Sequence, residues 1–126
     1  MVSGAKKAFL LAAGAAMQKY RDRLADQQEI IGALADIVIE IYSMESALLR
    51  SRKTCTGADL CAVLLRDAAA RVEVAARTVL AACSAGDPLR TNMAVLRRFA
   101  KYDPVDSIAL RRRIADRLLA AGRYIS

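Results

Sequence analysis

Four glutamates, nine aspartates, three cysteines and a basic carboxyl-terminal segment are the groups in this 126-residue sequence that could do chemistry. Glu40 and Glu45 come nearest to a carboxylate pair for acid–base work. Five residues apart on a helix, they point about 140° from each other and would not share a site. Glu45 is expected to be partly buried and to pair with a basic residue of another helix. Asp36 is read the same way, as an interhelical salt bridge or a cap. Histidine is absent, which removes every nucleophile system built on a histidine base. Cys55, Cys61 and Cys83 contain no Cys-x-x-Cys spacing, so no zinc site is expected. Cys61 and Cys83 fall in apolar company and read as small core residues. Unpaired cysteines suit a reducing compartment, and a cytoplasmic location is expected. The glycines at 4, 14, 32, 57, 86 and 122 are isolated, so no phosphate-cradling loop exists. No residue qualifies as catalytic, cofactor-binding or metal-ligating.

The charge is +7 and uneven. From Arg97 onward eight basic residues face three aspartates, supplying +5 of the total. Arg97, Arg98, Lys101 and Arg111 are the candidate basic surface, suited to phosphates, anionic lipid headgroups or an acidic protein face. Arg111-Arg112-Arg113 would spread over about 200° of a helix. Without aromatic residues among them for base stacking, nucleic acid is a poor expectation. Peripheral membrane contact is a better one. The apolar run at residues 8–17 is about half a membrane span. It continues into Gln18-Lys19-Tyr20-Arg21 in helical phase and reads as a first helix rather than a leader.

The elements that must position these groups are helical. Only two prolines and six aromatic residues occur, with abundant alanine and leucine, the composition of a helical bundle. Residues 27–53 carry the clearest pattern: Ile30, Leu34, Ile37, Ile41, Met44 and Leu48 at 4, 3, 4, 3, 4 spacing, one buried seam, with Ile31 and Val38 widening it. A first helix is expected over 3–23, inward through Phe9/Leu10, Ala13, Met17, Tyr20 and Leu24. Its alanines would leave a slim surface for close packing, which would also offset the cost of Gly14. Asp26 and Glu29 have the form of a capping box. A third helix is expected over 59–84, inward through Cys61, Leu65, Ala68, Val72, Ala75/Ala76, Val79 and Cys83. Gly86 should close it in a left-handed conformation. Asp87-Pro88 should open a shorter helix, facing inward through Leu89, Met93, Leu96 and Phe99. Asp103-Pro104 should end that one. A last helix from Asp106 or Ser107 to Gly122 is expected to place Ile108, Arg111, Ile114, Leu118 and Ala121 on one face. The expected fold is all-α, one domain over 1–126: an antiparallel up-and-down bundle of three long helices and two shorter ones.

These patterns carry a family resemblance. Gln27-Gln28, Leu34-Ala35-Asp36 and Glu45-Ser46-Ala47-Leu48-Leu49-Arg50 resemble a helix in the C-terminal α-domain of acyl-CoA dehydrogenases. The flanks, Lys6-Lys7-Ala8-Phe9-Leu10 and Ile114-Ala115-Asp116, resemble the tail that very-long-chain-type members carry after their catalytic core. The resemblance implies a parent enzyme that dehydrogenates fatty acyl-CoA and passes electrons to FAD. It does not extend to the family's glycine-containing flavin segment or its Tyr-Glu-Gly context for a catalytic glutamate. An accessory, non-catalytic helical domain is therefore implied. It would stabilise the catalytic domains and the homodimer of a flavoenzyme of fatty acid β-oxidation, with peripheral membrane association as an added role. The rival reading is a stand-alone helical adaptor that self-associates or binds an anionic surface through its basic end.

Overall fold

The computed structural model describes residues 1–123. Helix α1 (Val2–Tyr20) leads through a 3-10 turn (Arg21–Asp26) into α2 (Gln28–Thr54), followed by α3 (Ala58–Cys83), α4 (Gly86–Phe99) and α5 (Ser107–Ala121). No strand occurs among the described residues. The five-helix, all-α bundle is the expected one. α1, α2 and α3 pack against one another, α4 lies on α1 and α3, and α5 lies on α3 alone. Side-chain bonds give the directions. Lys6 of α1 meets Glu45 of α2 at 3.1 Å, so those helices run antiparallel. Lys19 Nζ reaches the Ala82 carbonyl at 2.8 Å, so the ends of α1 and α3 coincide.

The α2 seam is buried as its periodicity requires. Ile30, Ile37 and Met44 are fully enclosed, and Leu34 and Ile41 pack half-buried beside them. Ala68, Val72, Ala76, Val79 and Leu80 of α3 belong to the same core, and Leu96 of α4 joins it from the side of α1 and α3. The large enclosed side chains (Ile37, Met44, Leu80 and Leu96) contribute about 1.5–3 kcal/mol each, so the apolar core outweighs any surface pairing.

Helix α1 buries a different row from the expected one. Ala5, Ala8, Ala12 and Ala16 face inward, whereas Leu10 and Met17 are exposed. The smallest side chains let α1 approach closely enough to touch α2, α3 and α4 together. Gly4, not Gly14, is the close-approach glycine: a Cβ at Gly4 would collide with the Phe99 carbonyl oxygen, while one at Gly14 would meet nothing.

The helix ends differ from expectation in three places. Arg21–Asp26 forms a 3-10 turn, with Arg21 at φ 46°, so Asp26 is consumed by the turn. Gln27 becomes the α2 cap without a side-chain bond, and no Asp26–Glu29 capping box forms. Gly86 is left-handed (φ 61°) but opens α4 instead of closing α3. The α4 cap is Ala85, and Asp87 instead accepts from Arg90 at 3.2 Å. At α5 the expectation holds: the Asp106 carboxylate accepts from the Ala109 N–H, and Gly122 ends the helix at φ 66°.

Polar pairs frame this core, and no polar or charged side chain is buried among the described residues. Glu40 receives a two-pronged bond from Arg71 at 2.6 and 3.0 Å. Glu45 pairs with Lys6 as expected but is exposed, not partly buried. Asp36 is exposed and belongs to none of the ion pairs among the described residues, so the expected bridge or cap is not found among them. Helix α5 has no fully buried residue, and Ile108 faces solvent instead of α3. Arg111 donates to Asp67 of α3 at 2.6 Å, and Arg117 approaches Asp59 at 3.5 Å. Ile114 and Leu118 are only half-buried, so these pairs orient an otherwise lightly held helix.

Two predictions follow from this packing. Gly4→Ala should lower stability by about 1–3 kcal/mol, the usual cost of overpacking. Gly14→Ala, on open helix surface, should raise it by up to about 1 kcal/mol. Denaturant unfolding of the two variants reads both signs. The second concerns Asp67, whose carboxyl is held below its ordinary value by the Arg66 hydrogen bond first and by Arg111 after it, against the opposing effect of burial. Because the folded-state value is the lower one, this contribution is complete above the unfolded carboxyl value near ~3.9 and is lost as pH falls through the folded value. Asp67→Asn at neutral pH, or acidification of the parent chain below about pH 4, should therefore loosen α5. Hydrogen exchange should quicken in α5 while the α2 and α3 amides stay protected.

Candidate interaction surface

The four candidate basic residues do not share one environment. Arg97 and Arg98 lie exposed in the last turn of α4, and Lys101 follows in the connection to α5. Neither ion pairs nor side-chain hydrogen bonds engage these three among the described residues. Arg111 is bound to Asp67 and also donates to the Ser107 hydroxyl at 3.4 Å. Helices α4 and α5 do not pack together. The charge free to meet a partner is therefore the α4 end, and Arg111 is largely neutralised.

A second surface was not separated from the core in the sequence. On α2, Ile31, Val38, Tyr42 and Leu49 follow 7, 4, 7 spacing, a continuous row about 100° around the helix from Ile30, Ile37 and Met44. Ile31 and Val38 were expected to widen the buried seam. In the structure Val38 is 48% exposed, Leu49 59% and Tyr42 74%, and the adjoining Ile39 is 60% exposed. The signal lies in the sequence: two apolar rows on one helix, when the bundle can cover only one. Between residues 30 and 49 the only charges on α2 are Asp36, Glu40 and Glu45, and two of these are already paired. A helix apolar on nearly all sides is characteristic of the interior of a larger assembly.

On the other flank of α2, α2 and α3 bound an open groove of about 560 Å³, lined by Ala33, Asp36, Ile39, Val74 and Thr78 with the Glu40–Arg71 pair at its wall. A smaller space of about 290 Å³ lies at the α2–α3 turn, next to Cys61. Burial pushes the Cys61 and Cys83 thiols up, which makes them poor nucleophiles. Cys55 is exposed at φ 54° in the turn. No group of three metal-ligating side chains occurs among the described residues. None of their helices is long and apolar enough to cross a membrane.

Comparison with known proteins agrees with this arrangement. The model of the family described as "Acyl-CoA dehydrogenase, C-terminal domain" matches residues 4–98, from the first turn of α1 to the end of α4. A probable acyl-CoA dehydrogenase of Bacillus subtilis is 35% identical over 133 aligned positions, covering 98% of this chain and 22% of that protein. A crystal structure of an acyl-CoA dehydrogenase complexed with FAD from Bacillus anthracis superposes with a TM-score of 0.90 at 36% identity. It covers 99% of this chain and 23% of that one. This chain thus spans about a fifth of the length of the relatives it matches. The match over residues 4–98 makes this chain a member of the acyl-CoA dehydrogenase C-terminal domain family.

Proposed function

We propose that this chain serves as a non-catalytic helical domain of a longer FAD-dependent acyl-CoA dehydrogenase, of the very-long-chain type. There it stabilises the catalytic domains and the homodimer they form. The observation that carries this reading is coverage: nearly all of this chain aligns with about a fifth of each flavoenzyme relative. The described residues offer no set that fits a flavin. Their glycines are isolated, and no buried polar side chain stands ready to fix a ring system. No step through FAD is derived for this chain. Its own contribution is burial of helical surface, with arginine pairs at the rim.

Residues 1–126 act in this reading as one domain, and Arg97, Arg98 and Lys101 add a peripheral contact with anionic lipid. At about 1 kcal/mol for each well-placed basic residue, three such residues give an assisting contact rather than an anchor. The domain should therefore sediment with phosphatidylserine vesicles at low salt and release as salt rises to physiological strength.

The central test is purification of the native polypeptide that carries this sequence. The expected product is roughly four to five times the 13.6 kDa of this chain, shows flavin absorbance and oxidises acyl-CoA. The separate 126-residue chain should show neither. A native product of 13.6 kDa without flavin would overturn the reading in favour of a free-standing adaptor.

A further inference from the structure

We infer that the outer row of α2, centred on Val38 and Tyr42, is the surface on which this chain docks against the flavin-carrying portion of its own longer polypeptide. The inference rests on the functional reading above and adds the face through which it works.

Three observations select the occupant. The first is charge. The chain carries +7, yet the row from Ile31 to Leu49 contains no lysine or arginine, and its one charged member, Glu45, is already paired with Lys6. Few desolvated charges have to be stripped of water when this row is covered, which is how the centre of an interface differs from its rim. Tyr42 stands at its middle, 74% exposed, and a protruding tyrosine is the residue type most often found as an anchor in a partner's pocket. The second observation is size. A stable interface between freely diffusing proteins engages about 20–30 residues a side, and this row, even with Ile39, offers far fewer. A second copy of the chain arriving by diffusion would be held weakly. A segment of the same polypeptide is present at a high effective concentration, and interfaces between domains of one chain are correspondingly smaller. The third is the length of the relatives. About four-fifths of each lies outside the matched region, ample chain to supply an apolar cover.

Alternatives elsewhere in the fold are weaker. The groove beside Arg71 is open, its one cation is paired with Glu40, and its remaining charge is the exposed Asp36. The space near Cys61 has no buried polar group without a partner. The exposed leucine of α5, Leu119, stands three helical turns from Ile108, the other large apolar residue exposed on that helix, with Arg112 between them.

Cysteine accessibility tests the assignment. In a Cys55→Ser background, which removes the exposed native thiol, Tyr42→Cys and Leu119→Cys are introduced separately. Each goes into the complete native flavoenzyme and into the 126-residue chain, whose Ile37, Met44 and Leu80 are fully enclosed without any partner. Maleimide labelling is timed under native conditions. Tyr42→Cys should label at least ~10-fold more slowly in the complete enzyme than in the separate chain, the scale expected when a site opens only rarely. Leu119→Cys, at a position 80% exposed, should label at similar rates in both. Equal labelling of Tyr42→Cys in the two proteins, with flavin retained, overturns the docking face and leaves the functional reading standing. Equal slowing at both positions also overturns it, because protection would then not belong to α2. Slowing of Tyr42→Cys in the separate chain as its concentration rises would assign the row to a second copy instead. A complete native protein without flavin would remove the functional reading, and this inference with it.

Discussion

The closeness of α1 to its neighbours is the constraint on which the rest of the structure depends. A helix can touch three others at once only when its contact row is slim, and α1 supplies alanine at positions 5, 8, 12 and 16. At Gly4 even a methyl group is excluded, because the Phe99 carbonyl lies against the backbone. This brings the start of α1 to the end of α4 and closes one end of the bundle. The large side chains then belong to α2, α3 and α4, where Ile37, Met44, Leu80 and Leu96 are fully enclosed. Small residues set the distances, and large ones supply the burial.

Charge is confined to the outside of this frame. The Glu40–Arg71 and Lys6–Glu45 pairs staple α2 to its neighbours along its two flanks, and Asp67 and Asp59 orient α5. Exposed pairs of this kind are worth about 0.2–1 kcal/mol each, far less than one enclosed leucine. They decide orientation, while the alanine row and the apolar seam decide stability. The same division keeps the described polar side chains at the surface, outside the core. Catalytic groups need partly enclosed, convergent polar side chains with perturbed acidity, and here the polar groups diverge at the surface. The only thiols with raised values, Cys61 and Cys83, owe them to burial.

How much of this could be read from the residues depended on contrast between side chains. Helices α2 and α3 stand out because isoleucine, leucine, valine and methionine at regular spacing alternate with charge. Gly122 and Asp106 marked the two ends of α5 because each acts through its own local backbone. Helix α1 was misread because alanine carries little signal: Leu10 and Met17 look like core residues beside it, and only the proximity of α3 and α4 makes the alanine row the inward one. Asp26 and Glu29 have capping-box spacing, but the chain tightens into a 3-10 turn there, and no local pattern announces that. Arg111 was assigned to a basic surface because its partner, Asp67, lies 44 residues away in the sequence. Two rows of α2 are largely apolar, and the outer one, despite Tyr42 and Glu45, lies close enough to the inner one to read as its flank.

The turn joining α2 to α3 also bears on how the chain reaches its fold. Only Cys55, Thr56 and Gly57 separate the two helices, with Cys55 and Gly57 both at positive φ. So short a link keeps the loop-closure entropy of pairing α2 with α3 small, and the two helices share the most extensive seam in the molecule. Contacts of such low sequence separation favour fast folding, in microseconds to milliseconds for helical bundles. The α2–α3 hairpin is thus the pairing of lowest loop-closure cost in the bundle, and the outer row of α2 sits on that short-range unit.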